Sequence, residues 1–151
     1  DEVVREVSEQ KPFLGICMGM QVLVDFSEEN EGTDCLGIYP GKVRAFSKEL
    51  EDTQTGMNLK IPHMGWNQVH QTREHPLWSG IDQDSRFYFV HSYYVDPDNQ
   101  GLVAGVTDYG HQFTSVIARD NVFAIQAHPE KSAAAGLQLL KNFTRWNGES
   151  N

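Results

Sequence analysis

A cysteine stands between two glycines at the point where a short apolar run ends. Residues 15–19, GICMG, fit the G-x-nucleophile-x-G turn, in which a strand passes sharply into a helix and exposes the nucleophile. Small residues on both sides of Cys17 would let the backbone fold back tightly. A helix N-terminus and a nearby imidazolium would lower the pKa of such a thiol. The segment predicts a reactive cysteine, while a buried structural cysteine in a tight turn explains these five residues about equally well.

A histidine and a glutamate near the other end of the chain could assist that cysteine. His128 and Glu130 flank Pro129, which favours extended backbone at His128, so both side chains can project to the same face. A carboxylate beside an imidazole fixes its tautomer and stabilises the imidazolium that forms when the ring takes a proton from a thiol. Cys17, His128 and Glu130 therefore predict a nucleophile, a general base and the group that orients the base.

The histidine–glutamate pair does not predict a metal site. An H-x-E pattern also occurs in zinc deaminases, but there a P-C-x-x-C pattern accompanies it. The two cysteines of this chain, Cys17 and Cys35, form no such pattern. The remaining histidines show no ligand spacing, and we expect each to lie on the surface or to form hydrogen bonds: His63, His70, His75, His91 and His111. We predict no metal and no cofactor.

The apolar pattern predicts an α/β fold around these residues. Residues 1–11 predict an amphipathic helix, residues 13–16 a short strand, and residues from about Met18 a second helix. Six strands should follow, among them single strands over 59–66 and 85–95, before a last helix from about Ser132. This order predicts a mixed central sheet flanked by helices.

The composition is that of an ordinary globular protein. Of the 151 residues, 39% are hydrophobic and 22% are charged, which is enough for one domain with a core. The formal net charge of −9 argues against a nucleic-acid groove, which needs clustered Lys and Arg. No apolar run approaches the roughly 18 residues of a membrane helix, and the first residues lack a signal-peptide pattern. We expect a cytoplasmic protein with reduced thiols and with no membrane or nucleic-acid partner.

Together, the segment GICMGMQ and the later HPEKS resemble the class I (triad-type) glutamine amidotransferases, whose fold has flavodoxin-like layers. The resemblance implies that Cys17 attacks the carboxamide of glutamine and forms a glutamyl thioester. It also implies that His128 protonates the leaving ammonia and then activates water, while Glu130 orients the ring. Gln21 would help to hold the substrate glutamine. The backbone of Ser92 and Tyr93 would receive the amino-acid end of the substrate.

Four further segments, IPHMGWN, FYFVHSYY, GIYPGKV and HPLWSGI, are similar to one branch of that family. Its members are glutaminase subunits that deliver ammonia to a (β/α)8-barrel cyclase, which makes imidazole glycerol phosphate and AICAR in histidine biosynthesis. The resemblance implies a heterodimer with such a cyclase. Met64, Trp66 and Asn67 would face the partner, and Lys131 would lie near it. A core position is the alternative interpretation of Met64 and Trp66.

Two features depart from the family's pattern. The family usually has a large aromatic residue directly before the catalytic histidine, whereas this chain has Ala127. By alternation this side chain lies with those of Phe123 and Ile125, so we expect a void or a compensating neighbour there. The family's first strands, and a glycine-rich loop that supplies part of the oxyanion site, precede the region matched by Asp1. We therefore expect residues 1–151 to be one amidotransferase domain without its first strands, and nearly inactive alone.

Three other functions stay open at this point. A glutaminase of another synthase, such as that for anthranilate or GMP, would differ in the partner that it binds. A thiol peptidase would cleave peptides without glutamine. A catalytically silent interaction domain would bind the partner but release no glutamate from glutamine.

Overall fold

A mixed β-sheet with helices on both sides forms the body of the computed structural model, which describes residues 2–150. The helices are α1 (Glu2–Ser8), α2 (Met18–Gln21) and α3 (Ala133–Arg145). The strands are β1 (Phe13–Ile16), β2 (Phe26–Ser27), β3 (Thr33–Asp34), β4 (Gly41–Ala45), β5 (His63–Gln68), β6 (His70–Gln71), β7 (Arg86–His91), β8 (Tyr93–Pro97), β9 (Val103–Asp108), β10 (Gln112–Arg119) and β11 (Val122–Ile125).

The large sheet has the order β1-β11-β10-β8-β4-β2-β3, with β9 also paired to β10 and β6 to β9. The strand that leads to Cys17, β1, runs parallel to β11, while β10 is antiparallel to β11. The predicted mixed α/β sheet is therefore confirmed. β5 and β7 form a separate antiparallel pair.

Two buried clusters lie on the two faces of the large sheet. β11 shows this most clearly, because Phe123 and Ile125 belong to one cluster while Val122 and Ala124 belong to the other. Helix α3 packs on the first face, and α1 and α2 pack on the second. Ala127 is completely buried in the first cluster, on the predicted side.

The second helix is much shorter than the apolar spacing predicts. It ends after one turn at Gln21, although Leu23 and Val24 are both fully buried. The carbonyl of Leu23 accepts hydrogen bonds from the amides of Ile38 and Tyr39, and other carbonyls of this stretch also bond to the returning chain. These long-range bonds replace those that would have continued the helix.

Residues 85–95 form two strands in different sheets, where one strand was predicted. β7 pairs with β5 in the small sheet, whereas β8 pairs with β4 and β10 in the large one. The change of sheet occurs at Ser92, whose carbonyl accepts a hydrogen bond from the amide of Phe46 at 3.2 Å. None of the helices between residues 2 and 150 combines the length and apolar character needed to cross a membrane.

Candidate active site

Cys17 occupies a strained backbone corner between β1 and α2. Its φ of 54° and ψ of −108° lie in a region that residues with a side chain rarely adopt. The corner is held by a hydrogen bond from the Cys17 amide to the carbonyl of Ile125, at 2.9 Å. Strain of this kind is typical of a nucleophile at a sharp strand–helix turn.

One of the two flanking glycines is required by this geometry, and the other is not. A Cβ on Gly15 would lie 2.5 Å from the carbonyl oxygen of Gly19 and 3.1 Å from Cβ of Ala124. A Cβ on Gly19 would meet nothing within 4 Å. The expectation that both glycines are needed for tight folding is therefore wrong for Gly19.

The predicted lowering of the thiol pKa is also wrong in this structure. Burial raises the pKa of the Cys17 thiol, and the carboxylates of Glu130 and Glu29 act in the same direction. The Met18 amide and the Gln126 side chain lower this pKa without compensating for burial. Helix α2 is only one turn long, and burial is the largest effect. A thiol of this kind needs a base to remove its proton.

His128 and Glu130 form a tightly held pair. The His128 ring Nδ1 lies 2.6 Å from Oε1 of Glu130. Three hydrogen bonds fix the backbone of His128: its amide donates to the carbonyl of Tyr88 at 2.9 Å, and its carbonyl accepts from the Lys131 amide at 3.0 Å and from the Ser132 hydroxyl at 2.5 Å. The pair can therefore hold the ring with Nε2 free for proton transfer, although Glu130 lies in a 3₁₀ turn (Pro129–Lys131) and not in the extended segment that the sequence predicted.

The thiol and the His128 ring lie near the same end of β11 without a hydrogen bond between them. Gln126 Nε2 is 3.7 Å from Sγ of Cys17. Gln126 and His128 follow directly after the end of β11 at Ile125, whose carbonyl accepts from the Cys17 amide. The hydrogen bond between a nucleophile and its general base is often long or poorly aligned until a substrate binds.

The structure brings Gln21 and the Tyr93 backbone together beside this corner. Gln21 is buried, and its Nε2 donates to the Tyr93 carbonyl at 3.2 Å and to Oε1 of Gln126 at 3.1 Å. Ser92 is half-buried at the junction of β7 and β8. The Tyr93 carbonyl is thus occupied by partners within the protein rather than pointing freely into a site.

A cleft of about 280 Å³ opens beside α2, and most of its wall comes from residues that the sequence alone did not single out. Residues 28–34, EENEGTD, supply part of this wall, and their run of carboxylates was the signal available in the sequence. The thiol of Cys35 lies in this wall, where burial raises its pKa. The cleft is lined by Met18, Gln21, Val22, Ser27, Glu29, Asn30, Thr33, Asp34, Cys35 and Leu36.

The residues predicted to face a partner do not all share one face. Met64 and Trp66 are 62% and 48% exposed, so the alternative core interpretation is wrong for both. Trp66 lies opposite Tyr88 on the neighbouring strand, with ring centroids 6.1 Å apart. Asn67 points to the other face of β5, where its amide donates to the Asp108 carbonyl at 2.8 Å. Lys131 is exposed, close in sequence to His128.

The remaining histidines divide into two groups. Three are buried (His63, His75 and His91), whereas His70 lies on the surface beside Asp84 and His111 is half-buried. Between residues 2 and 150, no group of three or more His, Cys, Asp or Glu side chains is arranged to hold a metal ion.

The fold and this site define an α/β protein with a cysteine on a strained strand–helix corner beside a histidine–carboxylate pair. The chain belongs to the class-I glutamine amidotransferases, because the family model described as "Glutamine amidotransferase class-I" matches residues 2–146. The family resemblance seen in the sequence is thereby confirmed. A structure of a putative GMP synthase subunit from Thermoplasma acidophilum has a TM-score of 0.63 at 15% identity, over 93% of this chain and 60% of that one. At that identity the likeness concerns the fold alone.

Two curated relatives are much closer in sequence. The chain is 60% identical over 144 residues to the imidazole glycerol phosphate synthase subunit HisH of Hydrogenovibrio crunogenus, covering 95% of this chain and 65% of the relative. It is 57% identical over 150 residues to the subunit of the same name from Nitrosococcus oceani, covering 99% of this chain and 69% of the relative. The chain therefore spans about two thirds of the length of these relatives.

Proposed function

We propose that the protein is the glutaminase subunit of an imidazole glycerol phosphate synthase, with residues 1–151 in one glutamine amidotransferase domain. The observation that carries this proposal is the strained Cys17 corner near the His128–Glu130 pair. Relatives at 57–60% identity that are named as subunits of this synthase support the choice among glutaminases. Such a role in amino-acid biosynthesis would place the protein in the cytoplasm, where both thiols stay reduced.

The proposed reaction begins at the Cys17 thiol. His128 takes the thiol proton, and the sulfur attacks the carboxamide carbon of glutamine to give a tetrahedral intermediate. The Met18 amide, next to the nucleophile, is placed to donate to the oxyanion. When the C–N bond breaks, His128 returns the proton to the leaving nitrogen, and ammonia and a glutamyl thioester result. Water, deprotonated by His128, then releases glutamate and restores the thiol.

The cleft beside α2 adjoins the nucleophile corner through Met18, although its wall does not include Cys17, His128 or Glu130, and its size and charge suit glutamine. Its volume of about 280 Å³ lies at the small end of ligand sites, which suits a single amino acid. Glu29 and Asp34 in its wall supply the negative charge that an α-ammonium group needs. Gln21 lines the same cleft next to the nucleophile corner.

The test is glutamate release from glutamine, measured with and without the barrel cyclase and its ribonucleotide ligand. We expect low activity alone and a rise in the complex, because oxyanion donors that are aimed correctly only on assembly would suppress wasteful hydrolysis. Cys17→Ala should abolish the release, whereas Cys35→Ala, which removes the other thiol of the chain, should retain it. Activity that survives Cys17→Ala, or full activity without the partner, would contradict the proposal.

We further propose that the exposed face of β5 binds the (β/α)8-barrel cyclase in a heterodimer. A half-exposed Trp beside an exposed Met is the composition of an interface anchor. This face lies close to the active site, because the carbonyl of Tyr88, the residue opposite Trp66, accepts a hydrogen bond from the His128 amide. Lys131 would contact the partner from the edge of this face.

Titration of the cyclase against variants tests this surface. Trp66→Ala and Met64→Ala should each raise the dissociation constant by tenfold or more, since anchors of this type contribute about 2 kcal/mol or more. Met57→Ala is the matched control, because Met57 is 69% exposed on a different segment. Equal effects of Met57→Ala and Met64→Ala would show that this face is not the interface.

A further inference from the structure

Four residues form a continuous hydrogen-bond chain between β5 and the junction of β7 and β8. Asn67 Nδ2 lies 3.2 Å from Nε2 of His63. Nδ1 of His63 lies 2.8 Å from Nε2 of His91, and Nδ1 of His91 lies 2.8 Å from the Tyr93 carbonyl. We call this set (Asn67, His63, His91 and the Tyr93 carbonyl) the histidine chain.

The hydrogen bonds of the histidine chain can run in only one direction when both rings are neutral. A carbonyl oxygen can only accept, so Nδ1 of His91 carries a hydrogen and its Nε2 accepts. Nδ1 of His63 must then donate to His91, which leaves Nε2 of His63 as an acceptor. Asn67 supplies the donor for that nitrogen and uses its second amide hydrogen on the Asp108 carbonyl. Every donor and acceptor in the set is satisfied in this arrangement.

The surroundings keep both rings uncharged. His63 and His91 are 3% and 6% exposed. The His63 ring is stacked between Phe89 and Tyr109, with centroids 4.8 and 4.0 Å away. Burial lowers the pKa of His63 to about 3 and that of His91 to about 4. A proton added to His91 would place two donors against each other at the 2.8 Å contact, and a proton added to His63 would do the same at its 3.2 Å contact with the Asn67 amide.

The Tyr93 carbonyl, where the histidine chain ends, is linked to the nucleophile through Gln21 and Gln126. The Tyr93 carbonyl also accepts from Nε2 of Gln21, at 3.2 Å. The same Gln21 amide donates to Oε1 of Gln126, which turns Nε2 of Gln126 toward Sγ of Cys17. The orientation of the Gln126 amide thus depends on that of Gln21, and the orientation of Gln21 depends on the Tyr93 carbonyl.

We propose that His63 and His91 are positioning residues for Cys17. Held as neutral Nδ1–H tautomers, they fix the Tyr93 carbonyl, and through Gln21 they aim the Gln126 amide at the sulfur. Neither ring touches the substrate in this proposal. The importance of the proposal for catalysis rests on the proposed glutaminase function, whereas the hydrogen-bond chain itself can be tested without glutamine or a partner.

The first test is the tautomeric state in the unmodified protein. Nitrogen NMR of histidine-labelled protein at neutral pH should show both His63 and His91 protonated at Nδ1 and not at Nε2. His63→Gln and His91→Gln variants provide the assignments. Finding the Nε2–H tautomer or a charged ring at either position would overturn the proposal.

The second test follows the alkylation of Cys17 by iodoacetamide as a function of pH, with the site resolved by peptide mass mapping. Loss of the Gln126 donor in His91→Leu should move the midpoint upward by about one pH unit, because one pKa unit corresponds to about 1.4 kcal/mol, close to the lower end of the range for a hydrogen bond to a charged group. His91→Asn, whose Nδ2 replaces the Nδ1 donor, should restore the wild-type midpoint.

The matched control is His75→Leu. His75 is also a buried histidine, and burial lowers its pKa to about 4, but its Nδ1 accepts from the Leu77 amide, outside the histidine chain. His75→Leu should leave the Cys17 midpoint unchanged. An unchanged midpoint in His91→Leu, or an equal shift in His75→Leu, would refute the positioning role while leaving the glutaminase proposal intact. If the alkylation midpoints shift as expected but no glutamate is released from glutamine, only the glutaminase proposal is refuted.

Discussion

Gly15→Ala should distort the backbone corner that carries Cys17. The new Cβ would lie 2.5 Å from the Gly19 carbonyl oxygen, 2.9 Å from its carbon and 3.1 Å from Cβ of Ala124. Two of these three atoms are backbone, so no flexible side chain can move away. Overpacking lowers the free energy of unfolding by about 1–3 kcal/mol. Because the surroundings are rigid, we expect a loss of about 3 kcal/mol in this variant.

Gly19→Ala is the matched variant on the other side of the same cysteine. Its Cβ would enter open space, and Gly19 lies within α2, where alanine is favoured over glycine by about 0.5–1 kcal/mol. For a protein of this size, 1 kcal/mol corresponds to about 2–4 °C in Tm. Gly15→Ala should therefore lower Tm by about 6–12 °C, and Gly19→Ala should raise it by about 1–4 °C.

Calorimetric unfolding of both variants beside the wild type measures these changes. Alkylation of Cys17 at fixed pH, followed in the same samples, should change in Gly15→Ala because its corner must move. If the two alanine variants are equally stable, or if Gly19→Ala is the less stable one, the steric argument for the corner is wrong.

Three further predictions concern the surroundings of the site. The free energy of unfolding should fall between pH 6.5 and pH 5 by about 1.6 kcal/mol for each of the three buried neutral histidines, since the unfolded chain binds protons that the folded one excludes; denaturant titrations should show this, and His75→Leu should remove about a third of the change. Gly136→Ala would place its Cβ against the Pro129 carbonyl, so it should slow glutamine hydrolysis more than Ala134→Ser, on the exposed side of α3. Glu130→Gln should lower turnover by on the order of 10²-fold, because a neutral amide does not stabilise the imidazolium of His128 as a carboxylate does. An unchanged rate in Glu130→Gln would contradict the role of Glu130, and an unchanged rate in Gly136→Ala would contradict the steric argument at Pro129.

Local patterns were sufficient to predict the elements around the nucleophile. An apolar run, two glycines and a following apolar spacing predicted β1 and the corner at Cys17. They could not predict the length of α2, because the bonds that end it come from residues 36–39, far along the chain. The same limit applies at Ser92, where uniform β-propensity over residues 85–95 conceals a change of sheet.

Contacts between distant residues explain what the sequence analysis missed at the site. His63 and His91 are 28 residues apart, and only the pairing of β5 with β7 brings their rings together. Gln126 was not singled out, because nothing in its neighbourhood shows that its amide faces Cys17. The acidic wall of the cleft was visible as a charge run but not as part of a site. The exposure of Met64 and Trp66 could not be predicted either, because it depends on how β5 pairs with β7 and on which face of that pair is covered.

The most direct test of the account is covalent trapping with a diazoketone analogue of glutamine, followed by peptide mass mapping. Cys35 lines the cleft proposed for the substrate, so it is the thiol that could compete with Cys17 for the analogue. We expect one adduct, on Cys17, which forms more rapidly with the cyclase bound and is prevented by excess glutamine. An adduct on Cys35 at the same rate, or labelling of Cys17 that glutamine does not prevent, would contradict the claim that Cys17 is the nucleophile that attacks glutamine.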